Sequence, residues 1–306
     1  MESTLTTSEL KAKIKQTLGY FDFFHYPLKE EEILRYLPVK SDLSSLRNAL
    51  NELTAEREVT QQGSLFAIPQ SLDIFSRRNE ANALAYTKLP HAMQIGKFLS
   101  KFPFVRFVGI SGSLSKLYAD SKSDFDYFIV TDTNRLWIAR SLMHVFKKLT
   151  FLVNRQHQFC MNYYIDADHL TIEDHNRYTA IELSSLIPVY NQEVYDHLID
   201  QNEWLKAELP NFNRFQMAQF SERKAWLKKG FERLVNLLGA SKINQRLMRL
   251  TDRKWRAKWQ SAGYPEQDYD LAFRTRIYVS KNHPANYQKK VLSNQLVQLS
   301  KLSPAK

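Results

Sequence analysis

Two aspartates separated by one residue, Asp124 and Asp126, open the apolar run Tyr127-Phe128-Ile129-Val130. Alternate residues of an extended chain share a face, so this spacing predicts two carboxylates side by side at a strand mouth. Paired like charges repel, and a bound divalent cation that takes hard oxygen ligands, Mg²⁺ or Mn²⁺, is the usual compensation. Upstream, Phe107-Val108-Gly109-Ile110 runs into Ser111-Gly112-Ser113. Gly112 lets backbone approach phosphate oxygens closely, and the amides from Ser113 onward are expected to open a helix N-terminus that favours anions. Lys116, Lys122 and Ser123 lie between the turn and the carboxylates. A phosphate cradle followed closely by a carboxylate pair describes a site for a nucleoside triphosphate and its metal.

The order Gly112-Ser113, ten intervening residues, then Asp124-Phe125-Asp126-Tyr127 resembles the signature of the DNA polymerase β-like nucleotidyltransferase superfamily. The resemblance covers roughly residues 104–170. It implies Mg²⁺-dependent transfer of a nucleoside monophosphate from an NTP to an acceptor hydroxyl or protein side chain, with release of pyrophosphate. Asp124 and Asp126 would hold the metals, Gly112 and Ser113 would grip the triphosphate, and Lys116, Lys122 or Ser123 would assist. RNA ends, small molecules and proteins are all acceptors within the family. Active members add a third carboxylate from a later strand. In the corresponding segment, Phe159 to Asp166, strict alternation sets Cys160, Asn162, Tyr164 and Asp166 on one face, and its central position is Asn162. Asn supplies only a neutral oxygen, while Asp166 lies about 13 Å along the strand, too far to replace it. The alternative is therefore a catalytically impaired module that binds nucleotide or nucleic acid on the same fold.

The elements that must position these residues read as an α+β chain, with a small mixed β-sheet between two helical regions. Residues 1–69 give helices at Ser8–Gly19 (stopped by Gly19), Lys29–Tyr36 and Asp42–Ala55, then a hairpin about Gly63, which is the winged-helix order. Such a unit precedes the transferase domain in a bacterial branch of the superfamily. Its third helix carries Arg47, Glu52, Glu56 and Arg57, and the unit holds two more acidic than basic residues, so a DNA-reading transcription regulator is disfavoured. Residues 70–103 form a helical linker, broken at Leu89-Pro90. The transferase domain, 104–220, has strands at Phe104–Ile110, Phe125–Thr131 and Gln158–Ile165 and a helix at Asn134–Asn154. From about Thr171 the pattern is helical almost throughout, ending in a basic helical domain, 221–306.

The whole chain has 306 residues, 43% apolar and 25% charged, which excludes a wholly disordered polypeptide. It has no apolar run long enough for a membrane span, and its first residues lack a secretory h-region. Cys160 is the sole cysteine, which removes disulfides and cysteine-rich zinc sites and makes the cytoplasm the expected compartment. The net charge of +11 is uneven: residues 221–306 hold 19 Lys and Arg against 6 Asp and Glu, and the remainder is slightly acidic. Within that basic region Arg246, Arg249, Arg253 and Arg256 recur at helical spacing beside Trp255 and Trp259, a pattern suited to RNA or another polyanion or, equally, to an amphipathic helix anchored by its tryptophans. The acidic and histidine cluster from Asp166 to His175 reads as a helix start at Thr171–Asp174, and His283 as a structural turn residue. Only eight glycines are present, so the best-placed of them, Gly109 and Gly112, are expected to mark the chemistry.

Overall fold

The computed structural model describes residues 5–69, 73–217 and 226–302, with side chains up to residue 295. The expected domain boundary at 220/221 lies outside the described residues. Helices α1 (Thr7–Asp22), α2 (Glu30–Tyr36) and α3 (Leu43–Ala55) precede an antiparallel hairpin, β1 (Thr60–Gln62) and β2 (Leu65–Ala67). A Thr6–Glu9 capping box starts α1, and Asp42 caps α3 through Ser45 N–H. Gly19 does not stop α1. It is buried, and the helix runs on to Asp22 because Tyr20 and Phe21 continue its inner face.

Next comes α4 (Asp73–Leu99), one continuous helix with Pro90 inside it. The expected break is absent: Ala85, Ala92, Ile95 and Leu99 carry one buried stripe across the proline, and Tyr127 Oη donates to Ala92 O at 2.9 Å. Burial on both sides of Pro90 therefore outweighs the lost ladder bond. Then follow β3 (Val105–Ser111), β4 (Asp126–Thr131), α5 (Leu136–Thr150), β5 (Cys160–Asp166), α6 (Arg177–Ser184), β6 (Ile187–Tyr190), α7 (Gln192–Asp200) and α8 (Leu205–Glu208). The C-terminal region supplies α9 (Trp226–Leu237), α10 (Ala240–Ser261), α11 (Glu266–Ala272), β7 (Thr275–Arg276), β8 (Val279–Lys281) and α12 (Tyr287–Leu302).

These elements make an α+β fold around a six-stranded mixed sheet ordered β6-β3-β4-β5-β8-β7, in which only β4 and β5 run parallel. The chain after Thr171 is thus not helical throughout. Strands β6, β7 and β8 have two to four residues each, too few for alternation to show in a sequence. The expected helix start at Thr171–Asp174 is also absent. Asn176 caps α6 instead, while Asp174 is held by Arg274 and Lys281 at 2.9 Å each.

Both sheet faces are buried. One carries Val108, Ile110, Tyr127, Ile129 and Tyr164 against α4 and α5. The other carries Phe107, Phe128, Val130 and Ile165, and its core is continuous with Ile14, Leu18, Ile33, Leu46, Leu50 and Leu53 of the N-terminal helices. The N-terminal unit is therefore fastened to α6 and shares the core of the second sheet face. Arg35 donates to Ser184 O at 2.5 Å, Tyr36 Oη lies 2.9 Å from Ser185 Oγ, and Arg177 reaches the Tyr36 carbonyl. Arg47 pairs with Glu30 and Lys11 with Glu52 and Glu56, while Arg57, expected on the third helix, lies beyond the end of α3 and is exposed.

Gly109 proves to be a packing position. A Cβ there would lie 2.9 Å from Leu186 Cδ1 and from Phe107 Cζ. Gly109→Ala should lower stability by about 1–3 kcal/mol through overpacking. A urea midpoint that falls at unchanged m-value would register it, and an unchanged midpoint would show that Leu186 and Phe107 yield.

Candidate active site

The turn between β3 and β4 carries its glycine in the left-handed region but not the expected helix. Ser111 leads into Gly112 at φ +65°, and a single 3-10 turn, Leu114–Lys116, follows in place of the expected helix. So short a turn has little macrodipole to offer an anion. A Cβ on Gly112 would overlap Asp126 Oδ2, so the residue is fixed as glycine by space as well as by φ. Leu117, left-handed at φ 55°, ends the turn, and its carbonyl accepts from Arg78 Nη1 at 3.4 Å and Asn82 Nδ2 at 2.5 Å. Arg78 is 1% exposed and also bonds Pro27 O (3.1 Å) and Glu32 (2.6 Å).

The strand begins at Asp126, so Asp124 stands just outside it and the pairing expected from strand alternation is made by a loop. Phe125 N–H donates to His157 O at 3.0 Å, and His157 Nδ1 lies 2.7 Å from Asp124 Oδ1. Both carboxylates nevertheless border one cavity of about 600 Å³, together with Ser111, Gly112, Ser113 and Lys116. Asn162 reaches it too, although not by strict alternation. A β-bulge interrupts the β4–β5 register, Tyr127 pairing with Met161 and Phe128 with Tyr163. Asn162 and Tyr163 consequently share the cavity side while Tyr164 packs on the opposite face, the regrouping a bulge produces. Asn162 Nδ2 donates to Asp126 Oδ1 at 2.9 Å, and the Asn162 carbonyl accepts from Asn282 N–H at 2.9 Å. Asp166 is remote and occupied, accepting from Asn134 and Asp168 amides and lying 2.7 Å from His169 Nδ1.

Burial, the neighbouring Asp124 and then Glu182 push the Asp126 carboxyl up to about 7. Glu182 was not legible in the sequence. It comes from α6, and Lys116 Nζ binds it at 2.8 Å while also donating to Gly112 O at 3.1 Å. Lys116 is thus already paired inside the site. Ser123 Oγ closes a turn with Asp120 and is not among the cavity residues, and Lys122 is exposed. Cys160 is held as a thiol, pushed up to about 11 by burial and by Asp126.

The far end of the cavity is made by β8 and the start of α12. Lys281 is buried against Asp174, and His283 lines the wall with its imidazole pushed down to about 4 by burial and by Lys281. The N-terminal unit supplies Tyr20, Phe24 and Tyr26 to the same wall. The basic helix lies elsewhere. Arg246, Arg249, Arg253 and Arg256 are exposed on α10, with Arg256 paired to Asp252, and none borders the cavity. Trp255 and Trp259 are packing anchors: Trp259 stacks on Phe273 at 4.6 Å, and Trp255 lies under Arg140 at 4.6 Å.

Among the described residues, no group of three or more His, Cys, Asp or Glu side chains is arranged to hold a metal by itself, and no helix is long and apolar enough to cross a membrane. No known protein family, curated protein or solved structure matches the chain.

Asp126 yields a stability prediction. Its carboxyl titrates near 7 in the folded chain and near 3.9 when unfolded, so the native state binds the extra proton between those values. Stability should then fall as pH rises from about 4 to 7. With EDTA present, Asp126→Asn should melt several degrees above wild type at pH 8, and the gap should close toward pH 4. Melting curves at both pH values check this, and a gap independent of pH would contradict it.

Proposed function

We propose that the chain is a Mg²⁺- or Mn²⁺-dependent nucleotidyltransferase, moving a nucleoside monophosphate from an NTP to an acceptor. The observation that carries the reading is the contact of the Gly112 turn with Asp126. A glycine whose missing side chain makes room for a half-buried carboxylate, with a second carboxylate and an anion-accessible turn beside it, suits a site for phosphate and divalent metal together. Asp124, Asp126 and Glu182 against one lysine, Lys116, leave an excess of negative charge on hard oxygen atoms. That donor set fits Mg²⁺, which binds through one or two carboxylates and keeps water and substrate phosphates for its other positions.

Asp124 and Asp126 would hold the ion, which when bound neutralises charge on the triphosphate and on the departing pyrophosphate. The chain's own part is positioning. Gly112 and Ser113 offer backbone to the phosphates, Asn162 fixes the rotamer of Asp126, and His157 fixes that of Asp124. Lys116 orients Glu182 and ties it to the Gly112 carbonyl. A partner for the exposed arginines of α10, RNA or another polyanion, would bind away from this cavity.

A second reading is favoured by one contact. Asn162 stands where the superfamily resemblance expects a third carboxylate, and its amide occupies Asp126 Oδ1. That arrangement suits a module that binds nucleotide without transferring it. Incubation with α-labelled NTP, Mg²⁺ or Mn²⁺, and either total RNA or a deproteinised small-molecule extract separates the two. Transfer should fall at least roughly 10²-fold in Asp124→Asn/Asp126→Asn and in Gly112→Ala. Label transfer that survives the double substitution would sink the catalytic assignment, whereas NTP binding with no transfer under either metal would favour the binding module.

A further inference from the structure

Helix α9 is seated with the usual amphipathic order inverted. Lys228, Glu232 and Val235, at i, i+4 and i+7, are the positions it turns inward. Lys228 Nζ donates to Ser100 O at 2.9 Å and to Val105 O at 2.7 Å, and Glu232 accepts from Phe104 N–H at 2.5 Å and from Arg106 Nη1 at 2.9 Å. The helix is thus anchored mainly by its polar side. Its apolar stripe, Leu227, Phe231, Leu234 and Leu238 at i, i+4, i+7 and i+11, is left outside, the four residues being 40–85% exposed. A surface helix normally buries such a stripe, and an exposed one rimmed by polar residues marks an interaction site.

The charge around the stripe selects what can cover it. Helix α10 follows directly after Gly239, and residues 226–261 hold ten Lys and Arg against two acids, Glu232 and Asp252. Both acids are committed within the fold, Glu232 as above and Asp252 to Arg256 and Thr275. Lys229, Arg233, Lys242, Arg246, Arg249 and Arg253 are exposed. A second copy seated on this face would set one strongly positive surface against another. A nucleic acid strand would satisfy the cations but leave the leucines in water, since bases stack on rings and Trp255 and Trp259 are already packed. An anionic bilayer meets both demands: its headgroups attract Lys and Arg, and its acyl boundary receives Leu and Phe.

We infer that α9 docks on an anionic lipid surface. It lies in the membrane plane, with Leu227, Phe231, Leu234 and Leu238 at the acyl boundary and the cations of α9 and α10 among the headgroups. Lying on a bilayer is a different demand from crossing one, and α9 has the length and asymmetry only for the first. None of these residues borders the carboxylate cavity, so the docking surface does not depend on whether nucleotide is transferred there.

Sedimentation of the full chain with vesicles tests this. Vesicles of equal parts phosphatidylcholine and phosphatidylglycerol should carry wild type down, phosphatidylcholine alone should leave it in solution, and added salt should weaken the binding. Leu234→Gln/Leu238→Gln should lose at least about tenfold in affinity for the mixed vesicles, because two aliphatic side chains no longer enter the acyl boundary. Both positions are exposed and glutamine is a good helix former, so this variant should fold, and melting curves verify it. Binding that the leucine pair leaves unchanged would be adsorption by the basic residues alone and would overturn the proposal. So would absence of binding, equal binding to phosphatidylcholine alone, or a dimer in sedimentation equilibrium that the leucine substitutions dissociate. A single-stranded RNA oligonucleotide that binds wild type and loses affinity in the same variant would assign the face to nucleic acid instead.

Discussion

The joint on which the site depends is a buried cation. Arg78, on α4, places its guanidinium 3.8 Å from the centre of the Tyr26 ring and bonds at once to Pro27 O, Glu32 and Leu117 O. One side chain thereby binds the N-terminal unit, the long helix and the end of the Gly112 turn. A guanidinium can do this because it offers five donors in a rigid plane and stacks on an aromatic face, whereas lysine offers a single point of attachment. Tyr26 closes the same joint from the other side by donating to the Lys116 carbonyl. Without it the turn would be an exposed loop between two strands. With it, Gly112 is fixed against Asp126, and the burial that pushes that carboxyl up to about 7 is maintained.

How much of this was legible in the sequence follows from where each residue lies. The Gly112 turn, Asp124 and Asp126 are local in sequence, and apolar runs flank them, so spacing alone brought them together. Asn162 was recognisable as the strand position facing Asp126, but the reason it faces inward is a bulge that alternation does not foresee. Asp124 was expected on the strand and stands beside it, held from the 156–158 turn. Glu182, Lys281, Asn282 and Tyr20 arrive from helix, strand and loop segments far apart in the chain, and β8 has only three residues. No periodicity marks them, because what places them is the packing of whole elements on the sheet.

The charge asymmetry takes a definite form in the fold. Arginines 246, 249, 253 and 256 are on the outside of α10, and the tryptophans that alternate with them are turned to Phe273 and Arg140, away from any base that could stack. Arg106 likewise is spent internally, on Asp132 at 2.7 Å and Glu232 at 2.9 Å, which fastens α9 to the start of β3. The basic excess and the carboxylate site therefore belong to different surfaces, and a molecule steered by one is not thereby delivered into the other.

This separation also bears on the N-terminal unit. Three helices and a hairpin in this order are a common way to read DNA, yet a reading surface needs free cations on an accessible helix. Here Arg47 is bound to Glu30 and Lys11 to the glutamates of α3 and its cap, and Ile14, Leu18 and Ile33 belong to the core cluster that continues from the second sheet face. The aromatic residues at the end of α1 face the cavity instead. A unit whose charges close on each other and whose apolar side completes another element's pocket acts through shape. The second sheet face itself is covered by α6 and α7, whose Ala180, Ile181, Tyr195 and Leu198 share the cluster of Phe107, Phe128, Val130 and Ile165, and the N-terminal helices extend that core outward.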